Sequence, residues 1–303
     1  MTGAGALLVG ASIAAFKIVD PERADLDDEV RAHAPVRFVR LSDGYTHYEI
    51  SGPPDGRQVV LVPAFSVPYY LWDATFTALA NATFRVLRYD YYGRGYSDRP
   101  PVAYQQALYV RQLTELLDAV GMKGPVDLVG ASIGGSVITS LADRSPDRAR
   151  SLVMVAPSFR HSFAPAFTEG IPSLWHIFTV LFDEPAWADQ QLGDFAQPER
   201  FPDWPARYRE QMRYRGFRHA RLSDAVANAD MEQVPEVERV GRHPRPVLLI
   251  FGKQDQTVPF SSSESLARIL PRARVVAVES AGHLPQVEQP AVVNAAVIDF
   301  LRQ

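Results

Sequence analysis

Short apolar runs alternate along this chain with longer stretches whose apolar residues recur at helical spacing. In one such stretch Val110, Leu113, Leu116, Leu117 and Val120 fall on a single helical face. Runs of about four to six apolar residues are typical of strands buried on both faces of a sheet. The alternation predicts a mostly parallel sheet flanked by helices, in the α/β class. The predicted strands cover residues 37–41, 46–50, 59–62, 84–89, 126–129, 151–155, 247–251 and 275–278, and the predicted helices cover residues 72–79, 104–120, 136–144 and 290–301.

The alternation stops between residues 157 and 243. Aromatic residues and prolines crowd this segment, which predicts short helices and loops instead of another strand–helix–strand unit. We therefore expect an α/β core formed by residues 35–156 and 244–303, into which residues 157–243 are inserted. Residues 1–34 are expected to form an N-terminal apolar helix and an acidic lead-in to the core.

An apolar stretch without charge, residues 6–16, lies close to the N-terminus. It spans 11 residues, short of the ~20 that cross a bilayer as a helix. No Lys or Arg precedes it, unlike the start of a secretory signal. We expect a helix packed on the body of the protein or on a partner, and a cytoplasmic protein. A weak membrane-surface anchor and an export signal are the alternatives.

The composition excludes several classes of function. The chain of 303 residues carries a net charge of −4 and contains no cysteine. It therefore lacks the overall basic field that a nucleic-acid-binding protein needs, and it can form neither disulfides nor a cysteine nucleophile. No His or carboxylate cluster has metal-ligand spacing, and the first strand-to-helix turn lacks a phosphate-binding glycine run. We expect no metal, no cofactor and no nucleic-acid partner.

A serine lies between two glycines at the junction of a predicted strand and a predicted helix. Residues 130–134 read Gly-Ala-Ser-Ile-Gly, with Ser132 at the centre. A Cβ at either glycine would crowd the neighbouring strand and helix, so the spacing permits a turn that holds the serine away from both. Such a turn exposes the hydroxyl and points the first helical N–H groups toward whatever it attacks. The pattern favours nucleophilic catalysis, with an ordinary glycine-rich turn as the alternative.

Two more reactive side chains follow predicted strands. Asp255 comes shortly after the strand at 247–251, and His283 comes after the strand at 275–278. Because catalytic groups collect at the carboxyl ends of parallel strands, we expect Ser132, Asp255 and His283 to converge there. A serine nucleophile, a histidine that accepts its proton and a carboxylate that orients the imidazole are the components of acyl transfer. A turn aspartate and a helix-cap histidine are the alternative interpretations.

Together these motifs resemble those of the α/β-hydrolase family, over residues 37–301. Residues 130–134 resemble the family's nucleophile elbow, and residues 90–97, Asp-Tyr-Tyr-Gly-Arg-Gly-Tyr-Ser, resemble its Asp-x-x-Gly-x-Gly-x-Ser turn. The resemblance implies that the serine, aspartate and histidine form a catalytic triad and that the inserted segment is a cap, or lid, over the active site. It is nearest to serine esterases and lipases of the monoacylglycerol lipase and lysophospholipase-like bacterial type.

A serine nucleophile of this kind needs an oxyanion hole. The backbone N–H of Ile133, at the start of the helix, is one expected donor. The resemblance implies a second donor in the loop after the strand at 59–62, where the family has His-Gly and this chain has Pro63-Ala64. Pro63 has no N–H, and Ala64 tolerates fewer backbone angles than glycine. We assign the second N–H to Phe65 and expect its ring to line the acyl pocket.

The serine narrows the reaction, because related dehalogenases and epoxide hydrolases use an aspartate at the elbow. The aromatic residues of the inserted segment favour an apolar acyl or alkyl group. We therefore expect a carboxylesterase or lipase-like enzyme whose partner is a small-molecule ester. A C–C bond hydrolase, a cofactor-free perhydrolase and a non-catalytic ligand-binding homologue are the alternatives. The residues expected to line the substrate pocket are Phe65, Ser66, Trp175, Phe178, Phe182 and Leu284.

Arginines recur in the second half of the inserted segment. Such a run either recognises a carboxylate or phosphate on a substrate or, more commonly, forms a solvated helix face. The sequence leaves this choice open, together with the oligomeric state and the physiological substrate. The six residues are Arg207, Arg209, Arg213, Arg215, Arg218 and Arg221.

Overall fold

The computed structural model describes residues 20–34, 37–159, 184–227 and 232–303. The strands within these ranges are β1 (Arg37–Leu41), β2 (Gly44–Ser51), β3 (Gln58–Val62), β4 (Arg85–Tyr89), β5 (Val126–Ala131), β6 (Ala149–Val155), β7 (Val247–Gly252) and β8 (Ala273–Val278). They form one eight-stranded sheet in the order β1-β2-β4-β3-β5-β6-β7-β8. β2 pairs antiparallel with β1 and with β4, and all other neighbours are parallel.

Helices follow the strands and cover both faces of the sheet. Those in the described ranges are α1 (Asp28–His33), α2 (Asp73–Asn81), α3 (Gln106–Ala119), α4 (Ile133–Arg144), α5 (Trp187–Gln190), α6 (Trp204–Met212), α7 (Phe217–Ala227), α8 (Val234–Arg242), α9 (Ser262–Ile269), α10 (Pro285–Glu288) and α11 (Pro290–Leu301). None of these described helices is both long and apolar enough to span a bilayer.

The core consists of two apolar layers, one on each face of the sheet. Successive side chains of a strand point to opposite faces, so Val60 and Val62 of β3 pack with α3 and α4, whereas Val59 and Leu61 pack with α2 and α11. All four side chains are fully buried. Burial on both faces explains why the central strands read as continuous apolar runs. The α/β class and the mostly parallel sheet predicted from the sequence are confirmed.

The helix after Ser132 differs from its prediction. It begins at Ile133, whereas the sequence predicted a start at residue 136. Gly134 and Gly135 are helical in the structure although glycine has a low helical propensity. A Cβ on Gly134 would lie 2.4 Å from the Pro63 carbonyl oxygen, and one on Gly135 would lie 2.7 Å from Pro157 Cβ. Close packing at the start of α4 requires these glycines and outweighs their weak helical propensity.

The segment between β6 and β7 contains short helices in its described part, and no strand of the sheet lies there. α8 packs on α4, and its Val237 and Val240 belong to the core under the sheet. The boundaries of the inserted segment, 157 and 243, stay a prediction. The predicted N-terminal apolar helix lies outside the described residues.

Candidate active site

Ser132 occupies a tight turn between β5 and α4. Its backbone has φ 52° and ψ −119°, a left-handed conformation that side-chain-bearing residues rarely adopt. The Ser132 N–H donates to the carbonyl oxygen of Val155, at the end of β6, over 2.9 Å. A Cβ on Gly130 would lie 2.4 Å from the Gly134 carbonyl carbon, so both glycines of the motif permit close approach. The sequence pattern therefore produces the turn that it predicts.

Asp255 and His283 lie in contact at the carboxyl ends of β7 and β8. The Asp255 Oδ1 atom accepts the N–H groups of Thr257 and Val258, each over 2.8 Å, and its Oδ2 atom accepts from His283 Nδ1 over 2.9 Å. Because an ionised carboxylate only accepts, Nδ1 carries the hydrogen and Nε2 is left as the acceptor. Both residues are 5% exposed. This pair can hold an imidazole in one tautomer while Nε2 accepts a proton.

The surroundings of His283 favour its protonated form. Burial of the imidazole acts to lower its pKa, but the hydrogen bond from Nδ1 to Asp255 and the charges of Asp255 and Asp194 outweigh burial, and the pKa is raised above its ordinary value. Nearby carboxylates stabilise the imidazolium that forms when a base takes a proton.

A cavity of about 830 Å³ brings the predicted residues together. Ser132, Ile133 and His283 line it, and Asp255 lies directly behind the imidazole. Within the described ranges no hydrogen bond joins Ser132 Oγ to His283, which is common for such pairs without substrate. The inserted segment also lines the cavity, through Gln191 among others.

The predicted oxyanion donors have no competing acceptor in the part of the chain that the structure describes. The backbone N–H groups of Phe65 and Ile133 donate to none of its atoms. The Phe65 carbonyl oxygen accepts from Arg94 Nε over 2.9 Å, and Arg94 Nη2 lies 3.1 Å from Asp224. Arg94 is 1% exposed, so this buried contact holds the loop despite the Pro63-Ala64 sequence.

The structure places three of the six predicted pocket residues. Phe65, Ser66 and Leu284 line the cavity. The other three, Trp175, Phe178 and Phe182, lie outside the described residues, and their role stays a prediction.

Sequence reasoning missed Asp194. Its backbone carbonyl oxygen accepts a hydrogen bond from the backbone N–H of His283 over 2.7 Å. Its side-chain Oδ1 atom accepts a hydrogen bond from the Thr257 hydroxyl over 2.8 Å. Burial raises the pKa of Asp194 above its ordinary value, against the opposing effects of His283 and the Thr257 hydrogen bond. Asp194 lies in the inserted segment and follows no predicted strand, so no pattern indicated it.

Asp224, on α7, was also missed. It lines the cavity and accepts from the Tyr109 hydroxyl over 2.6 Å as well as from Arg94. Its buried pair with Arg94 ties the inserted segment to the loop that carries Phe65. Only the folded chain brings residues this far apart in sequence together.

A model of the alpha/beta hydrolase family matches residues 59–296 of the 303. The chain belongs to the alpha/beta hydrolase family. The matched region contains the turn at Ser132 and the Asp255–His283 pair.

Individual relatives of this alpha/beta hydrolase differ in the reactions that their names describe. It is 32% identical over 240 residues to a 2-hydroxymuconate semialdehyde hydrolase of Pseudomonas sp. strain CF600, covering 77% of this chain and 81% of the relative. It is 24% identical over 266 residues to carboxylesterase YbfK of Bacillus subtilis, covering 87% of this chain and 86% of the relative.

A solved structure supports the fold of this alpha/beta hydrolase. The crystal structure of the enol-lactonase from Burkholderia xenovorans matches it with a TM-score of 0.75 at 24% identity, covering 88% of this chain and 100% of that chain. A likeness at this identity shows the fold, and the reaction has to be argued from the site.

Proposed function

We propose that this alpha/beta hydrolase cleaves carboxylic esters with apolar acyl or alkyl groups through Ser132, His283 and Asp255. One observation carries the proposal: Ser132, on its left-handed turn, lines the same cavity as an imidazole whose other nitrogen is bonded to a buried aspartate. A hydroxyl, a base and an orienting carboxylate in this arrangement perform acyl transfer.

The proposed reaction proceeds through an acyl-enzyme. Ser132 Oγ attacks the ester carbonyl carbon while His283 Nε2 takes its proton, and the N–H groups of Phe65 and Ile133 bind the carbonyl oxygen as it becomes negative. The intermediate collapses, and His283 gives the proton to the departing alcohol. Water, activated by the same imidazole, then releases the carboxylic acid and regenerates the serine.

The cavity wall supports an apolar substrate group. Its described lining includes Val67, Phe159, Leu266, Ile269 and Leu284. Burial of apolar surface stabilises a bound ligand by about 25 cal/mol per Å² before the costs of association are subtracted. The methylene or alkyl groups of a substrate that are desolvated against these side chains would contribute favourably to binding.

A panel of p-nitrophenyl esters of increasing acyl length tests the proposal. We expect hydrolysis by the wild type, and a loss of kcat of at least about 1,000-fold in Ser132→Ala and in His283→Ala. Ser261→Ala is the matched control, because Ser261 is exposed and its side chain caps nothing. Equal rates for the wild type and Ser132→Ala would refute ester cleavage at this serine.

C–C bond hydrolysis is a second candidate, favoured by the relative named 2-hydroxymuconate semialdehyde hydrolase at 32% identity. The same nucleophile, base and oxyanion donors would serve a ketone carbonyl whose carbon–carbon bond breaks. Product analysis separates the two: an ester releases an alcohol and an acid, whereas a vinylogous diketone releases a dienol and an acid. A kcat/KM for the diketone well above those for all esters of the panel would favour the second candidate.

The predicted cytoplasmic location remains a proposal, and a membrane-surface contact of residues 6–16 remains its alternative. The membrane contact can be tested by comparing the full chain with a variant lacking residues 1–19 in a vesicle-partitioning assay. We expect equal partitioning, and stronger partitioning of the full chain would favour the surface anchor.

A further inference from the structure

The structure separates the six arginines of the inserted segment into two groups. Five of them pair with carboxylates, and most of these pairs lie at the surface. Arg221 is the exception: in the described part of the chain it pairs with no carboxylate, and it lines the active-site cavity. The five pairs are Arg207 with Asp73, Arg209 with Asp189, Arg213 with Glu210, Arg215 with Asp25, and Arg218 with Glu184 and Asp20.

Aromatic rings hold the Arg221 guanidinium in place. Its Cζ atom lies 4.3 Å from the centre of the Trp187 ring and 5.6 Å from the centre of the Phe65 ring. Its Nε atom is buried and has no hydrogen-bond acceptor among the described residues. Stacking on rings leaves the N–H edges of a guanidinium available for a planar anion. A buried donor without an acceptor is uncommon in folded proteins.

Nearby Asp224 does not neutralise Arg221. Asp224 lies three residues further along α7, but its carboxylate bonds Arg94 and the Tyr109 hydroxyl instead. Arg94 and Asp224 thus cancel each other's charge, and Arg221 is left as an uncompensated cation in the wall. A single cation matches a singly charged carboxylate better than a phosphate dianion.

The position of Arg221 also indicates which part of the substrate carries the charge. It contacts the ring of Phe65, whose N–H is the proposed second oxyanion donor. An anion at Arg221 is therefore one aromatic side chain away from the carbonyl under attack. We infer that Arg221 binds a carboxylate at the far end of the acyl group, so that the preferred substrates are monoesters of short dicarboxylic acids. The inference rests on the proposed ester cleavage and names its substrate class.

A matched pair of esters tests the substrate class. Mono-p-nitrophenyl glutarate and p-nitrophenyl pentanoate share a five-carbon acyl chain and differ in a terminal carboxylate against a methyl group. We expect Arg221→Gln to lower kcat/KM at least about 10-fold for the glutarate and less than about twofold for the pentanoate. Arg221→Lys keeps the charge without the planar fork and should retain part of the preference.

Arg209→Gln is the control for net charge, because it removes another cation of the inserted segment. Arg209 pairs with Asp189 at the surface, where both side chains are about half-exposed. This control should leave the ratio of the two kcat/KM values unchanged. Equal losses on both esters in Arg221→Gln, or an equal change of the ratio in Arg209→Gln, would overturn the inference.

A binding measurement keeps the inference separate from the proposed function. Calorimetric titration of glutarate into Ser132→Ala requires no turnover, and we expect binding that weakens at least about 10-fold when Arg221→Gln is added. Arginine-dependent binding without hydrolysis of either ester would uphold the anion site and refute ester cleavage. Hydrolysis of both esters with glutarate binding that does not depend on Arg221 would refute the anion site alone.

Discussion

Ser132 is held in a conformation that costs free energy. A residue with a Cβ at φ 52° is strained by about 1–3 kcal/mol, and the surrounding structure sustains it. The bond from the Ser132 N–H to Val155 fixes the backbone on β6, and the glycines beside it allow α4 to start immediately. The turn thereby places Ser132 in the wall of the cavity.

Gly134→Ala tests how much this turn depends on close packing. The added Cβ would lie 2.4 Å from the Pro63 carbonyl oxygen and 2.7 Å from that of Val62, so it would separate α4 from the loop that carries Phe65. We expect kcat/KM to fall at least about 100-fold and stability to fall by about 1–3 kcal/mol. Urea unfolding and ester kinetics measure the two effects.

Gly124→Ala is the matched control, because an added Cβ there meets nothing within 4 Å. It should leave both kinetics and stability close to the wild type. A Gly134→Ala enzyme with wild-type kinetics would contradict the inferred need for close packing between α4 and the Phe65 loop.

Asp194 should influence the pH dependence of kcat/KM for ester hydrolysis. His283 must be neutral to act as a base, so activity is present above its pKa and is lost as pH falls through it. The Asp194 charge is one of the effects that raise this pKa. We expect Asp194→Asn to move the acid limb of the kcat/KM profile to lower pH, with a change of less than about threefold at pH 8.

The exposed Asp189→Asn serves as the control for Asp194→Asn, since Asp189 is 59% exposed in its pair with Arg209. Its profile should overlay that of the wild type. An acid limb that stays in place, or moves to higher pH, in Asp194→Asn would contradict the assigned coupling.

At the scale of residues, the positions of Ser132, Asp255 and His283 could be predicted where a short pattern carried the geometry. Ser132 stood in a glycine pair, and Asp255 and His283 each followed a strand, so their convergence was predictable from the sheet alone. Asp194 and Asp224 follow no strand, and their contacts with His283 and Arg94 arise from packing between segments distant along the chain. Local sequence carries no signal for such contacts.

At the scale of elements, a buried charge cluster joins the N-terminal lead-in to the inserted segment. Arg218 of α7 donates to Glu184 and to Asp20, each over 2.6 Å, and its backbone N–H donates to Glu22. Three carboxylates surround one guanidinium that is 4% exposed. Burial raises the pKa of Glu184 to about 7; Arg218 opposes this shift, and the nearby acids add to it.

Glu184 should make stability depend on pH. Its folded-state pKa lies above the unfolded value, so the folded chain binds more protons between about pH 4.5 and 7, and its stability falls as pH rises through that window. Glu184→Gln removes the titration but keeps an acceptor for Arg218. We expect the melting temperature of the variant to rise relative to the wild type between pH 5 and pH 8.

Thermal melts at several pH values measure the difference in melting temperature between the variant and the wild type. Titrating groups that the two proteins share contribute equally to both and cancel in this difference. Glu199→Gln, an exposed glutamate of the same segment, should give a constant offset. Parallel curves for Glu184→Gln and the wild type would contradict the raised pKa.

The strands and helices of the core were predictable because the repeat of their apolar residues is visible within each short stretch of sequence. The alternation of buried strands with amphipathic helices placed all eight strands within a few residues of their observed bounds. The predicted start of α4 was three residues too late. Gly134 and Gly135 lower the helical propensity of this stretch, but close packing requires glycine at both positions. The described helices of the inserted segment are at most 11 residues long, so each offers few turns over which a helical period could be recognised.

At the scale of the whole molecule, the sheet explains why one cavity collects the reactive groups. β3, β5, β7 and β8 run in parallel, so the residues that follow them, Phe65, Ser132, Asp255 and His283, emerge at the same edge. The inserted segment leaves the sheet at this edge, after β6, and contributes Asp194 and Arg221 to the same cavity. Residues from the core and from the insertion thus line one cavity, as the proposed reaction and the inferred anion site both require.

Covalent labelling with a fluorophosphonate, followed by peptide mass mapping, tests most directly whether His283 activates Ser132 as a nucleophile. We expect stoichiometric modification of the wild type at Ser132, no modification of Ser132→Ala, and labelling slowed at least about 100-fold in His283→Ala, which lacks the base. Modification at another residue, or labelling of His283→Ala at the wild-type rate, would contradict this activation of Ser132.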